Sequence, residues 1–189
     1  MTMPPEQVKA KAYLRDKGTE APVAQIRERV GEAFAAMDEL LDSVSEARAS
    51  QRREDGEWCV HEVLDHLVET HPLALEEMRA VMANRHSPVS PIPAGLQSAS
   101  PMSRSWDDMR GVLRRLHAEV LDVLAGASDR PTEARAPIIM VINVRQADGS
   151  VKPLHWIEHC DWKACAVIFR LHEMDHMTQI RKALRPPAR

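Results

Sequence analysis

Residues 171–180, LHEMDHMTQI, decide how this chain is read. His172 and His176 stand four apart, which on a helix stacks them on one face about one turn from each other. The i, i+4 ladder through them runs Cys160, Ala164, Ile168, His172, His176 and Ile180, so both histidines fall on an apolar, inward stripe. The spacing predicts a helix from about residue 154 to residue 184, ended by Pro186-Pro187, with Arg181, Lys182 and Arg185 suited to its C-terminal dipole. Two inward imidazoles need partners, because unpaired buried polar groups are costly. A shared ion, at Zn–N distances of about 2.0–2.1 Å, supplies one.

Three further helices are predicted upstream. Residues 21–49 repeat Val23, Ile26, Val30, Phe34, Met37, Leu41 and Val44 at threes and fours, with Pro22 near the start. Residues 58–84 follow, with Val60, Val63, Leu64, Leu67, Leu75, Met78 and Met82 turned inward. Glu62, Asp65, Glu69 and Glu76 fall mostly outside that stripe, and Pro72 predicts a kink. Residues 86–103 carry Pro88, Pro91, Pro93 and Pro101 among serines and read as a long ordered loop of functional character, such as a site lid. A helix over 103–125 is capped by Ser105 with Asp108 and stopped by Gly126. The β-branched run 138–144, then Asp148-Gly149 and Val151, predicts a short β-hairpin between the third and fourth helices. The expected fold is all-α, a four-helix bundle with that hairpin inserted. Residues 21–185 form the bundle, flanked by an N-terminal tail over 1–20 and a C-terminal tail over 186–189.

Composition narrows the function. Twenty-five basic against 28 acidic residues give a net charge of −3, which is no basic nucleic-acid footprint. Seven aromatics (four Trp, one Tyr, two Phe) make no base-stacking platform. No apolar run approaches the roughly 20 residues of a membrane span, and the N-terminus has no secretory apolar segment. Three irregularly spaced cysteines make no disulfide framework, so a reduced, cytoplasmic protein is expected. Hydrophobic content of 44% is enough to fill a core.

HEMDH also fits the H-E-x-x-H zinc-protease pattern, with Glu173 as base. The residues after His176, MTQIRKALRPPAR, hold no His, Asp or Glu, so a third ligand must come from upstream. Periodicity leaves His66, beside the stripe, and His71, on it, both open. Glu173 and Asp175 point away from an ion held by His172 and His176. His155 and His159 also stand four apart, beside Trp156 and Trp162, and are read as structural or interfacial at the start of the last helix. On one helix His159 would sit about 220° from His172, so the two do not face one site. His61, His86 and His117 are read as surface or cap residues, and Cys160 and Cys165 as small apolar groups of the last helix.

Trp58-Cys-Val-His-Glu-Val-Leu-Asp-His66, together with His172, His176 and Gln179-Ile180, resembles the DinB-like (YfiT-like) metal-binding four-helix bundles. In that family a Trp precedes the second helix and a histidine eight residues later is the first metal ligand. An H-x-x-x-H pair followed by Gln-Ile supplies the other two. The resemblance covers residues 21–184 and implies His66, His172 and His176 as ligands of one divalent ion, zinc or nickel foremost, iron or manganese also compatible. It departs at Cys59, where the family often has Ser or Thr, at Arg170 and Leu171, and in the hairpin. It implies a metal-dependent enzyme, either transferring a low-molecular-weight thiol to an electrophilic small molecule or hydrolysing one, with thiol transfer slightly preferred. The competing class is a non-enzymatic, dimeric metal-binding protein of stress response. A homodimer is expected through the surface around His155, Trp156, His159 and Trp162, with neither nucleic acid nor membrane as partner.

Overall fold

The computed structural model describes residues 3–86, 91–130, 132–146 and 148–186. Its elements run α1 (Pro5–Leu14), a π-helical turn (Arg15–Thr19), α2 (Val23–Asp42), α3 (Glu46–Ala49), α4 (Val60–Met82), α5 (Trp106–Ala125), β1 (Ala136–Arg145), β2 (Val151–Cys160) and α6 (Trp162–Ala183). The four long helices α2, α4, α5 and α6 make a four-helix bundle, with the hairpin between its third and fourth members. Residues 87–90 of the 86–103 loop and 187–189 of the C-terminal tail lie outside the described residues. Among the described residues no helix is long and apolar enough to cross a membrane.

Two compact units divide the chain. One is drawn from Arg27–Pro72, Gly95–Ala127 and Phe169–Arg189. Its core joins Met37 and Leu41 of α2, Val63, Leu64 and Leu67 of α4, Met109 and Leu113 of α5, and Met177 and Ile180 of α6. These are the stripes the periodicity predicts, and burying them is the main source of its stability. Cys59 precedes α4, and its N–H donates to Glu62 Oε2 at 2.9 Å, the return half of a capping box. Ser105 accepts from Asp108 N at 3.3 Å, as its sequence position predicts. The helix of residues 21–49 is two pieces, α2 and the single turn α3, because Ser45 starts a new cap by accepting from Arg48 N. α4 runs on through Pro72.

Of the carboxylates expected outside the α4 stripe, Glu76 is exposed and Glu69 half-buried, but the other two are not exposed. Glu62 is buried and Asp65 is completely so. Residues 96–104 cover that face and supply its donors: Ser98 N and Oγ reach Asp65 at 2.8 and 2.7 Å, and Arg104 Nη1 reaches Asp65 at 2.9 Å and Glu69 at 2.7 Å. Over its first two turns α4 is covered on both sides, so a one-sided periodicity misassigns Glu62 and Asp65.

The second unit is drawn from Met1–Ile26, Leu73–Ala94 and Ser128–Ile168. The segment read as a tail carries α1 and the π-helical turn, where Gly18 is needed: a Cβ there would lie 2.9 Å from the Ala164 backbone. The hairpin is longer than predicted, and it replaces the first turns of the expected last helix. β1 and β2 pair from Ala136↔Cys160 to Arg145↔Val151, around a turn in which Gly149 takes φ +83°. Along β2 burial alternates, with Leu154, Trp156 and Glu158 half-buried and His155, Ile157 and His159 exposed. Period two, not four, orders these residues. α6 starts instead at Trp162, capped by Asp161 Oδ1 accepting from Ala164 N at 2.8 Å. Cys160 accordingly ends β2 rather than lying in the helix, and Trp162 is buried, donating to Arg130 O at 3.3 Å. The interfacial surface read around His155, Trp156, His159 and Trp162 is therefore not formed as expected.

Candidate metal centre

α4 and α6 bring His66, His172 and His176 together within the first unit. Their ligating atoms lie within 4.8 Å of one another. His172 Nε2 is 3.0 Å from His66 Nε2 and 3.0 Å from His176 Nε2. His66 and His176 are buried and His172 is half-buried. His71, the residue that periodicity could not separate from His66, lies outside this group, in a second one.

The outer nitrogens fix the rings. His66 Nδ1 donates to the Leu96 carbonyl at 2.7 Å, and His176 Nδ1 donates to Gln179 Oε1 at 2.8 Å. Each donation spends the single proton of a neutral imidazole and leaves Nε2 as a lone pair. His172 Nε2 faces both lone pairs and can donate to only one, so the other contact has no proton to hold it. Three nitrogens converging in this way could hold a divalent ion, and oxygen acceptors behind metal-binding imidazoles are the usual support. The long loop thus reaches the site through Leu96, and Gln179 has a definite task beside its histidine.

Burial keeps these imidazoles neutral. Burial, and then the charge of neighbouring histidines, pushes His172 well below its ordinary 6.5. Burial, followed by His66, takes His176 down to about 4, and His66 is lowered chiefly by burial. Neutral rings are the form that binds metal. Between pH 6.5 and about 4 the unfolded chain holds the proton that native His176 refuses, so stability falls as pH falls through that window. His117 has the opposite sign: it is raised, and its contribution is lost as pH rises. The unfolding free energy of chelator-treated protein, from urea titrations, is therefore expected to drop from pH 6.5 to 4, by roughly 3 kcal/mol for His176 alone. A flat profile over that window contradicts neutral burial.

A second group was missed by the sequence reading. His71 of α4, His117 of α5 and Glu173 of α6 are all buried, with ligating atoms within 4.8 Å of one another. Glu173 does point away from the first group, but into this one. His117 and His61, read as surface or cap residues, are 3% and 2% exposed. His61 Nε2 meets Arg104 O at 3.1 Å, held by the same covering segment that buries Asp65. His86 and Asp175 are exposed. The usable signal for His117 was its place on the Met109, Leu113, Leu116, Val120 face of α5.

A helical bundle with buried histidines able to hold a metal ion is the class that this fold and site define. Residues 29–180 match the model of the DinB superfamily, and the chain belongs to that family. Among solved structures it is similar to YfiT from Bacillus subtilis, with a TM-score of 0.57, 12% identity and 85% of each chain covered. That protein is described as a probable metal-dependent hydrolase with an unusual four-helix bundle topology. No curated protein matches.

Proposed function

We propose that the chain is a metal-dependent enzyme whose divalent ion is held by His66, His172 and His176 through Nε2, with zinc or nickel the best-suited metals. The observation that carries this reading is the pair of Nδ1 hydrogen bonds, to Leu96 O and Gln179 Oε1, that aim two lone pairs at the third histidine. When bound, such an ion supplies Lewis acidity that polarises a substrate oxygen and lowers the pKa of a nucleophile. Three protein ligands leave positions for water or substrate, the pattern of a catalytic rather than a closed structural site. The residues of the chain bind and orient: the covering segment holds His66 through Leu96, and Gln179 holds His176.

The nucleophile is water or the thiol of a small cosubstrate. The description of YfiT as a probable hydrolase supports water. Assays of metal-loaded, untagged protein with activated esters and amides, with and without low-molecular-weight thiols, separate the two. Turnover that requires the thiol means transfer, turnover without it means hydrolysis, and no chelator-sensitive turnover with either contradicts the enzyme reading. Elemental analysis of protein purified without a nickel column is expected to find at least one divalent ion per chain. Gln179→Leu is expected to weaken binding of that ion about 10- to 100-fold, measured by competition with a chromogenic chelator. Unchanged affinity contradicts the role given to Gln179.

The same reading includes a cytoplasmic homodimer. Its supports are three buried free cysteines and the exposed apolar residues Val141 and Ile157 on the hairpin. Light scattering at micromolar concentration tests the assembly, and a monomeric mass contradicts it.

A further inference from the structure

We propose that His71, His117 and Glu173 form a second divalent-cation site, closed to solvent and distinct from the three-histidine group. Each residue comes from a different helix, and all three are at most 3% exposed. His71 Nε2 lies 2.9 Å and His117 Nε2 lies 3.3 Å from Glu173 Oε1. Ligand atoms sharing one ion at 2.0–2.1 Å stand about 2.9–3.4 Å apart, so these edges already have the span of a coordination shell.

Hydrogen bonding does not account for the cluster. Among the described residues, neither ring nitrogen of His71 makes an aligned hydrogen bond, and Glu173 Oε2 makes none. The 2.9 Å contact from His71 is close without being directed along an N–H. Buried polar atoms in that condition are costly and rare, and an ion satisfies them together. Glu173 Oε2 is free to make the carboxylate bidentate and so complete four donors.

The surroundings fit the same reading. His117 Nδ1 faces Asp38 Oδ1 at 3.2 Å, which places a carboxylate behind a ligating imidazole. Asp38 and Glu173 together balance the charge of a dication bound by neutral histidines. Phe34 stacks on His117 with centroids 4.0 Å apart and planes 6° apart, and Phe169 meets the His71 ring edgewise at 5.3 Å. These rings wall the cluster with apolar surface. Two histidines and a carboxylate suit zinc or a neighbouring first-row transition ion rather than magnesium or calcium.

The competing account is an ion pair without metal. Burial alone would raise the Glu173 carboxyl, but His117 and His71 outweigh it and hold it at about 2. Asp38 and Glu173 likewise raise His117 against the effect of burial. A protonated His117 between two carboxylates needs no cation, and metal stoichiometry distinguishes the two.

The test titrates chelator-stripped, full-length protein with zinc alone and counts retained ions by elemental analysis after dialysis. Two equivalents are expected in the wild type. The His172→Ala/His176→Ala double variant is expected to keep one, and adding Glu173→Gln to it is expected to remove that one, with helical circular dichroism unchanged. No ion retained in the double variant overturns the proposal, as does an ion that survives Glu173→Gln. If Glu173→Gln fails to fold, His117→Gln in the same background gives the same reading. A wild type that binds one equivalent, kept in the double variant and lost with Glu173→Gln, upholds this site and instead overturns the three-histidine centre.

Discussion

Replacing Asp65 with alanine is expected to cost about 3 kcal/mol of folding stability, near the low end for breaking a buried ion pair. Asp65 is completely buried and accepts from Ser98 N, Ser98 Oγ and Arg104 Nη1. Arg104 keeps Glu69 and is 30% exposed, so it is not stranded and the loss stays at the lower end. The effect is not confined to stability. Ser98 lies two residues beyond Leu96, whose carbonyl fixes the His66 ring, so releasing it loosens the outer support of the metal centre. Urea unfolding beside a metal titration measures both. A stability loss under about 1 kcal/mol contradicts the role assigned to Asp65 in pinning this segment.

The larger functional effect is expected from His176→Ala. The variant should bind one ion fewer than the wild type and lose chelator-sensitive turnover to background, while keeping its helical signal. Four apolar stripes already pack the bundle, so the catalytic ion contributes only the mass-action stabilisation of a bound ligand. That amounts to about 2.7 kcal/mol at a hundredfold excess over its dissociation constant. A structural ion behaves otherwise, since the fold then depends on it. Circular dichroism of the variant beside the chelated wild type decides: loss of helix at room temperature in both overturns the catalytic reading.

Much of this was legible from spacing. His172, His176 and the inward ladder from Ala164 to Ile180 lie within one helix, where i, i+4 geometry is local and needs no tertiary knowledge. His66 was separated from His71 only by resemblance, because helical phase cannot say which of two inward histidines meets a partner on another helix. Residues 154–160 were misread for a physical reason. His155 and His159 are four apart, which satisfies a helix and equally a strand, and pairing with β1 chose the strand. The alternation of Leu154, Trp156 and Glu158 with His155, Ile157 and His159 was the clue. Asp65, His61 and His117 are outward or cap residues by pattern alone, whereas the covering segment and the second polar cluster bury them. Such burial rests on contacts from Ser98–Asp65, 33 positions apart, to His71–Glu173, 173 − 71 = 102 apart, which no local periodicity encodes.

In the proposed centre, Nε2 of His66, His172 and His176 share one divalent ion. Anomalous diffraction at the zinc edge, from crystals of zinc-saturated, untagged protein, tests it most directly. The expected result is an anomalous peak about 2.0–2.1 Å from all three nitrogens, with the rings still held by Leu96 O and Gln179 Oε1. A saturated crystal with no peak at that point, and the three imidazoles closed on one another, would contradict it.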